Sequence, residues 1–402
     1  MPDSILSTAG SPYGGSARPD LANGSWSGVD TPLAACVSVA QGNLPYDDMA
    51  ACHNALRDLT GRLRELGFAS GFGAPGDRRT SLVGFSARLL KGTWTPWRDD
   101  ADDSDRWHAP VRCPSSLRLM AAKRDDEFRS FADDDLRIGH ETDVVVLIES
   151  DAMDLPAAAE TLRPLLGDVR VHEGARRPGG RDPFGFRDGI SNLQDLRITD
   201  PDRYEGHLLH REEDLGIDGS YLVFRRYTVF PERMRGLVTI SDDRGDPARG
   251  FTPEQIIGRC RECGYVLDAG SGEHLHPEFD ERQGARAFRQ SHLYLANPRG
   301  HGTTNFGHHV VPPDVRMLRR SYPTTRPEGL LFLSFQADIQ NGGFEFIHNE
   351  WLMSDFNGAP DPLLAPEAGL VEPTTGCYYF VPRRQDRVEE VFTALCAAGP
   401  RW

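Results

Sequence analysis

Three stretches of the chain hold residue types suited to acid, base and ligand chemistry. The first runs from Gly180 to Ser191 and reads Gly-Arg-Asp-Pro-Phe-Gly-Phe-Arg-Asp-Gly-Ile-Ser. So many glycines, with a proline, weaken both helix and inner strand, so this is a shaped loop. Phe184, Phe186 and Ile190 would anchor it to a core while Arg187 and Asp188 are presented between Gly185 and Gly189. Alone, a Gly-x-x-Asp-Gly run fits a solvated turn whose acid caps a backbone amide. The second stretch, Ser291-His292-Leu293-Tyr294-Leu295, sets one histidine at the head of an apolar segment, and the third is Arg319-Arg320-Ser321-Tyr322-Pro323. Together these supply parts for peroxide chemistry on iron. A neutral imidazole at His292 can hold haem iron from one side. On the other side, Asp188 can move a proton between the two peroxide oxygens. Arg319 can stabilise the negative charge on the departing oxygen, since a guanidinium stays charged when buried.

The elements that must position these groups belong to a large chain. At 402 residues it exceeds the usual size of one hydrophobic core, which predicts two domains. A net charge of -15 argues against a general nucleic-acid or anionic-membrane surface. The opening stretch, rich in Gly, Ser and Pro, lacks the basic start and apolar centre of a signal peptide, so it reads as a flexible extension of a cytoplasmic protein. Seven scattered cysteines do not form a disulfide framework. Cys260-Arg-Glu-Cys263 is the only close pair; it lacks two further ligands at zinc-site spacing, and Gly264 stands where haem attachment would need histidine, so incidental thiols are the better reading.

Hydrophobic periodicity outlines the scaffold. Tyr46 to Gly67 predicts a helix with Leu56, Leu59, Leu63 and Leu66 on one face. Ser81 to Leu90 and Asp143 to Glu149 predict strands, Leu155 to Leu166 a helix that tolerates Pro156 in its first turn, and Val169 to His172 a short strand. Further on, Ser220 to Phe230, Gly329 to Gln336 and Cys377 to Val381 read as strands, and Pro253 to Arg259 and Gln385 to Ala397 as helices. Trp97 to Trp107 is an acidic surface loop. The order predicts an α+β fold with antiparallel sheets and helices on one face, repeated in the second half.

With the loop, the histidine and the arginine in this order, the chain resembles the dye-decolourising (DyP-type) haem peroxidases from about Leu82 onward. Gly185-Phe186-Arg187-Asp188-Gly189 matches that family's Gly-x-x-Asp-Gly motif, His292 stands at its proximal ligand, and Arg319 at its distal arginine. Gly376 to Pro382 is similar to its closing strand. The resemblance implies two ferredoxin-like domains, with an extension over 1–30, an N-terminal domain over 31–205 ending in the glycine loop, and a haem-binding domain over 206–402. It implies non-covalent haem b with His292 as iron ligand, Asp188 as acid/base and Arg319 as distal cation. Gly185, Phe186, Arg187, Gly189, Ser321 and Arg320 would line or hold the cofactor, Arg320 as a surface or propionate partner. Hydrogen peroxide and a small-molecule electron donor are the implied partners, through a ferryl intermediate, with room for a homo-oligomer. An acid of ordinary pKa about 3.9, where a histidine would have about 6.5, predicts turnover that rises below neutral pH.

Two departures from the family stand out. Pro323 runs into Thr324-Thr325-Arg326-Pro327 where the family often continues Pro-Tyr-Gly, and the segment between ligand and arginine carries His301, His308 and His309, which read either as a polar loop or as rivals for iron or substrate. Trp351, Tyr294, Tyr322, Tyr378 and Tyr379 are candidates by type for relaying electrons, with packing the commoner role. Two rival functions remain: a biosynthetic haem oxidase acting on one metabolite, and a haem carrier or sensor, which would need His292 but neither Asp188 nor Arg319. A nucleotide site is weak, because no Walker lysine follows the loop.

Overall fold

The computed structural model describes residues 34–44, 49–70, 79–86, 142–151, 155–188, 190, 200–212, 217–236, 238–240, 249–276, 281–298, 305–306, 309–310, 315–339, 342–353, 361–365 and 368–397. The extension over 1–30, the acidic Trp97 to Trp107 loop, Cys113, Gly189, His301 and His308 lie outside these residues.

The first half contributes β1 (Cys36–Asn43), α1 (Met49–Glu65), β2 (Ala69–Ser70), β3 (Arg79–Ser86), β4 (Val144–Ser150), α2 (Leu155–Glu160) and β5 (Gly167–Ala175). The helix α3 (Pro201–Leu208) and strand β6 (His210–Glu212) lead into the long β7 (Ile217–Val229). Between β7 and the next main strands lie β8 (Val238–Ile240), β9 (Arg249–Phe251), α4 (Pro253–Ile257), α5 (Glu281–Arg286), α6 (His292–Leu295), β10 (Asn305–Phe306) and β11 (His309–Val310). The chain closes with β12 (Leu318–Arg319), β13 (Tyr322–Thr325), β14 (Glu328–Gln336), a π-helical segment over Phe346–Leu352, β15 (Val371–Pro382) and α7 (Val388–Ala397).

Strand order explains the duplication. The first half runs β3-β4-β1-β5 and the second β12-β14-β7-β15, all antiparallel, so in each half the first long strand lies between the third and the last. That is the ferredoxin-like arrangement, present twice. The halves are not separate sheets, because Tyr379 and Phe380 of β15 pair with Ser86 and Phe85 of β3 and join them into one 11-stranded sheet. The sheet curls until β5 lies against β13. At that meeting point a Cβ added to Gly174 would stand 2.6 Å from Tyr322 Cβ, so only glycine fits.

Both faces of the sheet are covered, which is why β4 reads Val-Val-Val-Leu-Ile without polar alternation. Val144, Val146 and Ile148 face the helical side, packed with Leu56, Leu59 and Leu63 of α1 and Phe392 and Leu395 of α7. Val145 and Leu147 face inward with Val37, Val39, Leu222, Phe224, Leu331 and Tyr379. Burial of each such side chain contributes about 1.5–3 kcal/mol, so the double-faced sheet holds most of the core.

One expectation is corrected here. The helix expected to reach Leu166 ends at Glu160 and continues only as turns. Pro164 has no N–H to give to the Glu160 carbonyl, and its ring disfavours helical backbone at Arg163. The aromatic residues named above by type for electron relay, Trp351, Tyr294, Tyr322, Tyr378 and Tyr379, are all buried, in keeping with the packing role that is the commoner one for each. Tyr379 takes a hydrogen bond from Gln41 Nε2 at 2.5 Å and shares another with Thr142 Oγ1 at 2.9 Å. Burial is the main force raising the Tyr379 and Tyr322 phenols well above the ordinary tyrosine range.

Candidate active site

The glycine loop is a tight hairpin. Arg181 and Arg187 bridge across it, the Asp182 amide donates to the Phe186 carbonyl at 2.8 Å, and the Asp188 amide donates to the Gly180 carbonyl at 2.9 Å. The turn closes because Gly185 takes a positive φ of 89°, open to glycine at little cost. Asp182 Oδ1 accepts the Phe186 amide at 2.8 Å. Phe186 is the anchor, buried among Met234, Val238, Phe251, Ile256 and Leu370. With the anchor fixed, Asp188 is held at the far end of the hairpin, partly exposed.

Asp188 faces cations. Arg259, which follows α4, is buried and feels the charges of both Arg319 and Asp188, so these groups converge at one place. Burial, then repulsion from Arg319, lowers the Arg259 pKa to about 10, with Asp188 opposing, and the guanidinium therefore stays charged at neutral pH. Asp182 completes the cluster: burial, then the Asp188 charge, raises its pKa to about 7 against the backbone amides that favour its ionised form.

Strand register sends the two arginines of the pair into different surroundings. Arg319 pairs with Ser334 in β12 and is partly exposed, whereas Arg320 is 2% exposed and points into the curled sheet. There its Nε and NH2 donate to Glu149 Oε1 and Oε2 at 3.2 and 2.6 Å. The expectation of Arg320 as a surface or propionate partner is therefore corrected. Ser321, two residues from Arg319, is partly exposed as well. Arg187 keeps its Nε on the Glu262 carbonyl at 3.1 Å, turned to the protein and not away from it. The altered Thr324 to Pro327 segment is the tip of the β13–β14 hairpin, where Thr324 Oγ1 donates to the Pro327 carbonyl at 2.8 Å.

His292 opens the one-turn helix α6, capped by Ser291, whose Oγ accepts the Tyr294 amide at 3.3 Å. Its Nδ1 lies 2.6 Å from Asp361 Oδ2, and that carboxylate is wholly buried. Asp361 is fixed in turn: its Oδ1 accepts the Leu363 amide at 2.7 Å and its own amide donates to the Leu352 carbonyl at 2.7 Å. Such a carboxylate sets the tautomer and orients the ring, leaving Nε2 to bind a metal and making it a stronger donor. The fit to a haem iron ligand rests on this pair. α6 is also tied to the cation cluster's own segment, because a Cβ on Gly258 would meet Ser291 Oγ at 2.6 Å. Sequence reading missed Asp361 and Arg259; neither lies in a recognisable motif, and only the fold brings them to His292 and Asp188.

The sequence profile of the family described as "Dyp-type peroxidase, C-terminal" matches residues 180–386. No curated protein matches the chain. Among solved structures, a DyP-type peroxidase from Anabaena sp. aligns at 15% identity and a TM-score of 0.59, covering 92% of each chain. One from Cellulomonas bogoriensis aligns at 22% identity and a TM-score of 0.54, covering 90% of this chain and 95% of that one. A Rhodococcus jostii DypB variant in complex with heme aligns at 17% identity and a TM-score of 0.54, covering 89% of this chain and 96% of its own.

Proposed function

The chain belongs to the DyP-type peroxidase family and is a peroxidase, and from that premise we propose that it binds haem b non-covalently through His292 and uses Asp188 and Arg319 to reduce hydrogen peroxide at the expense of an organic donor. The observation that carries the reading is the 2.6 Å contact between His292 Nδ1 and the buried Asp361 carboxylate. A histidine serving only packing has no need of a buried anion behind its ring. A bound haem would supply an iron that gives two electrons to peroxide and recovers them one at a time from a donor.

The residues of the chain do the rest. Asp361 keeps the His292 ring oriented and electron-rich. Asp188 moves a proton from the near to the far peroxide oxygen. Arg319 stabilises the negative charge that develops on the departing oxygen as the oxygen–oxygen bond lengthens, with the charged Arg259 beside it. Gly185 lets the backbone approach a flat ligand, with the Phe186 anchor beneath. The haem would lie in the half beginning near residue 206. No helix among the described residues is long and apolar enough to cross a membrane. The donor is a phenol or dye, or a single metabolite if the enzyme is biosynthetic.

An absorption spectrum of the haem-loaded protein and of His292→Ala, each before and after one equivalent of hydrogen peroxide, tests this. A histidine-ligated ferric spectrum that changes with peroxide, and a variant without that ligation, supports the proposal. Stable haem indifferent to peroxide would make the protein a carrier or sensor, and no haem uptake would remove the cofactor assignment.

A further inference from the structure

The Cys260-Arg-Glu-Cys263 pair is not isolated in space. The chain makes a tight turn over it: the Gly264 amide donates to the Cys260 carbonyl at 2.9 Å, the Cys260 amide to the Tyr265 carbonyl at 2.8 Å, and Gly264 takes a positive φ of 77°. The turn then runs into a return strand. Arg259 bridges Val266, and Leu267 bridges His274, whose imidazole comes back over the thiols. Cys263 Sγ lies 3.4 Å from His274 Nδ1, and the two sulfurs and this nitrogen all fall within 4.8 Å of one another. A tetrahedral zinc ion with bonds of about 2.3 Å to sulfur and 2.0–2.1 Å to nitrogen separates its ligand atoms by about 3.6–3.8 Å. The three side chains are therefore already near the spacing such an ion imposes. Two thiols and one imidazole form a soft donor set that selects zinc over calcium or magnesium.

We propose that Cys260, Cys263 and His274 bind a structural zinc ion that clamps the turn on which the Asp188 loop is seated. Binding converts two thiols to thiolates, releases two protons to solvent and leaves His274 neutral, with the fourth position taken by water on the exposed side.

The consequence for the loop follows from what the turn touches. Arg181 NH1 donates to the Arg261 carbonyl at 2.8 Å, and Arg187 Nε donates to the Glu262 carbonyl at 3.1 Å. Arg261 stacks its guanidinium 5.0 Å from the centre of the Phe186 ring. Gly264 lies directly beneath the loop, where an added Cβ would meet Ile190 Cδ1 at 2.5 Å, and its carbonyl accepts Arg259 NH1 at 2.8 Å. Every residue between and just after the two cysteines thus grips the hairpin that presents Asp188 or the cation beside it. An ion joining Cys260 to Cys263 and across to His274 would fix that grip from below, without touching substrate or haem.

Zinc and iron are measured separately, so the test stands apart from the peroxidase reading. The full-length, untagged protein is purified under reducing conditions, and its zinc content is determined by elemental analysis. Close to one zinc per chain is expected, falling at least tenfold in Cys263→Ser and in His274→Ala. Absence of zinc from the native protein, or zinc retained in the Cys260→Ser/Cys263→Ser double variant, overturns the proposal. Should the variants not fold, cobalt(II) added to the native metal-free chain decides: a sulfur-to-cobalt charge-transfer band supports thiolate ligation, and its absence overturns it. So does a Cys260–Cys263 disulfide persisting under reduction. The clamp is read by hydrogen exchange at the Phe186 and Asp188 amides, whose protection should fall severalfold on chelation; unchanged protection would sink that role.

Discussion

Asp361 is the residue whose chemistry most directly sets the His292 side of the site. Replacing it with Asn keeps the shape but removes the charge behind the ring, and such partners commonly cost 10–100-fold in metal affinity or activity. The expected outcome for Asp361→Asn is a loss of about that size in haem affinity or peroxide turnover, read by haem titration and steady-state kinetics. Full affinity and full turnover would show that the 2.6 Å contact only packs the histidine. On the opposite side, removing one charge-stabilising donor costs on the order of a hundredfold or more, so Arg319→Leu should be the graver loss and Asp188→Asn the lesser. The reverse order would exchange their roles. These residues were legible because a motif or a chain position carried them: Gly-x-x-Asp-Gly for Asp188, a histidine heading an apolar turn for His292. Asp361 and Arg259 were not, since a lone acid before a proline and an arginine after a short helix look like any surface pair in sequence. For the Arg319-Arg320 doublet, the resemblance assigned the distal role to Arg319 and a surface or propionate role to Arg320. What the doublet alone could not show is strand alternation, which buries Arg320 on Glu149.

At the scale of elements, the glycine hairpin carries its own pH dependence. The Asp182 carboxyl is pushed up to about 7, because it is largely withdrawn from water and feels the Asp188 charge, against an ordinary value of 3.8. Between those two values the folded state holds a proton that the unfolded state has lost, so stability is greatest on the acid side and falls as pH rises through about 7. Asp182→Asn keeps the oxygen that accepts the Phe186 amide but cannot ionise. In denaturant titrations the variant should gain on the native protein as pH rises from about 4 to about 8, by on the order of 1–2 kcal/mol once partial solvent access is allowed for. Parallel pH profiles would mean that Asp182 ionises freely in the folded loop. Such a loop would also favour the acid side for turnover, in line with an aspartate as the acid/base. Other elements were legible to differing degrees. The leucines at helical spacing in α1 and the unbroken apolar run of β4 were plain, because each answers to a buried face. β1, the central strand of its half, was not, because Cys-Val-Ser-Val-Ala-Gln-Gly-Asn is small and polar-interrupted, although all but its last residue is buried. The truncation of α2 was written in Pro164, a residue that weighs less in a periodicity reading than the leucines around it.

At the scale of the whole molecule, duplication could be inferred from the succession of elements, but the union of the two halves could not. Alternation tells which side chains share a face; it does not say that β3 will pair with β15 or that β5 will come round to β13, since strand order depends on contacts far apart in sequence. That union has a measurable energetic centre. Glu149 on β4 of the first half and Arg320 beside β12 of the second form a two-pronged ion pair inside the curled sheet, each 2–3% exposed. Removing one partner strands a charge away from water and costs about 3–5 kcal/mol, while replacing both with apolar side chains of similar volume is often near neutral. Glu149→Leu should therefore lose about that much stability in urea unfolding, and Glu149→Leu with Arg320→Met should recover most of it. Because the pair joins the halves across a shared core, unfolding should remain one transition in the native protein when followed by probes on either half. The single variant is where that cooperativity should fail first. If the double variant were as unstable as the single one, the pair would matter for filling space and not for charge. The coupling of the halves would then rest on β3–β15 pairing and the apolar inner face alone.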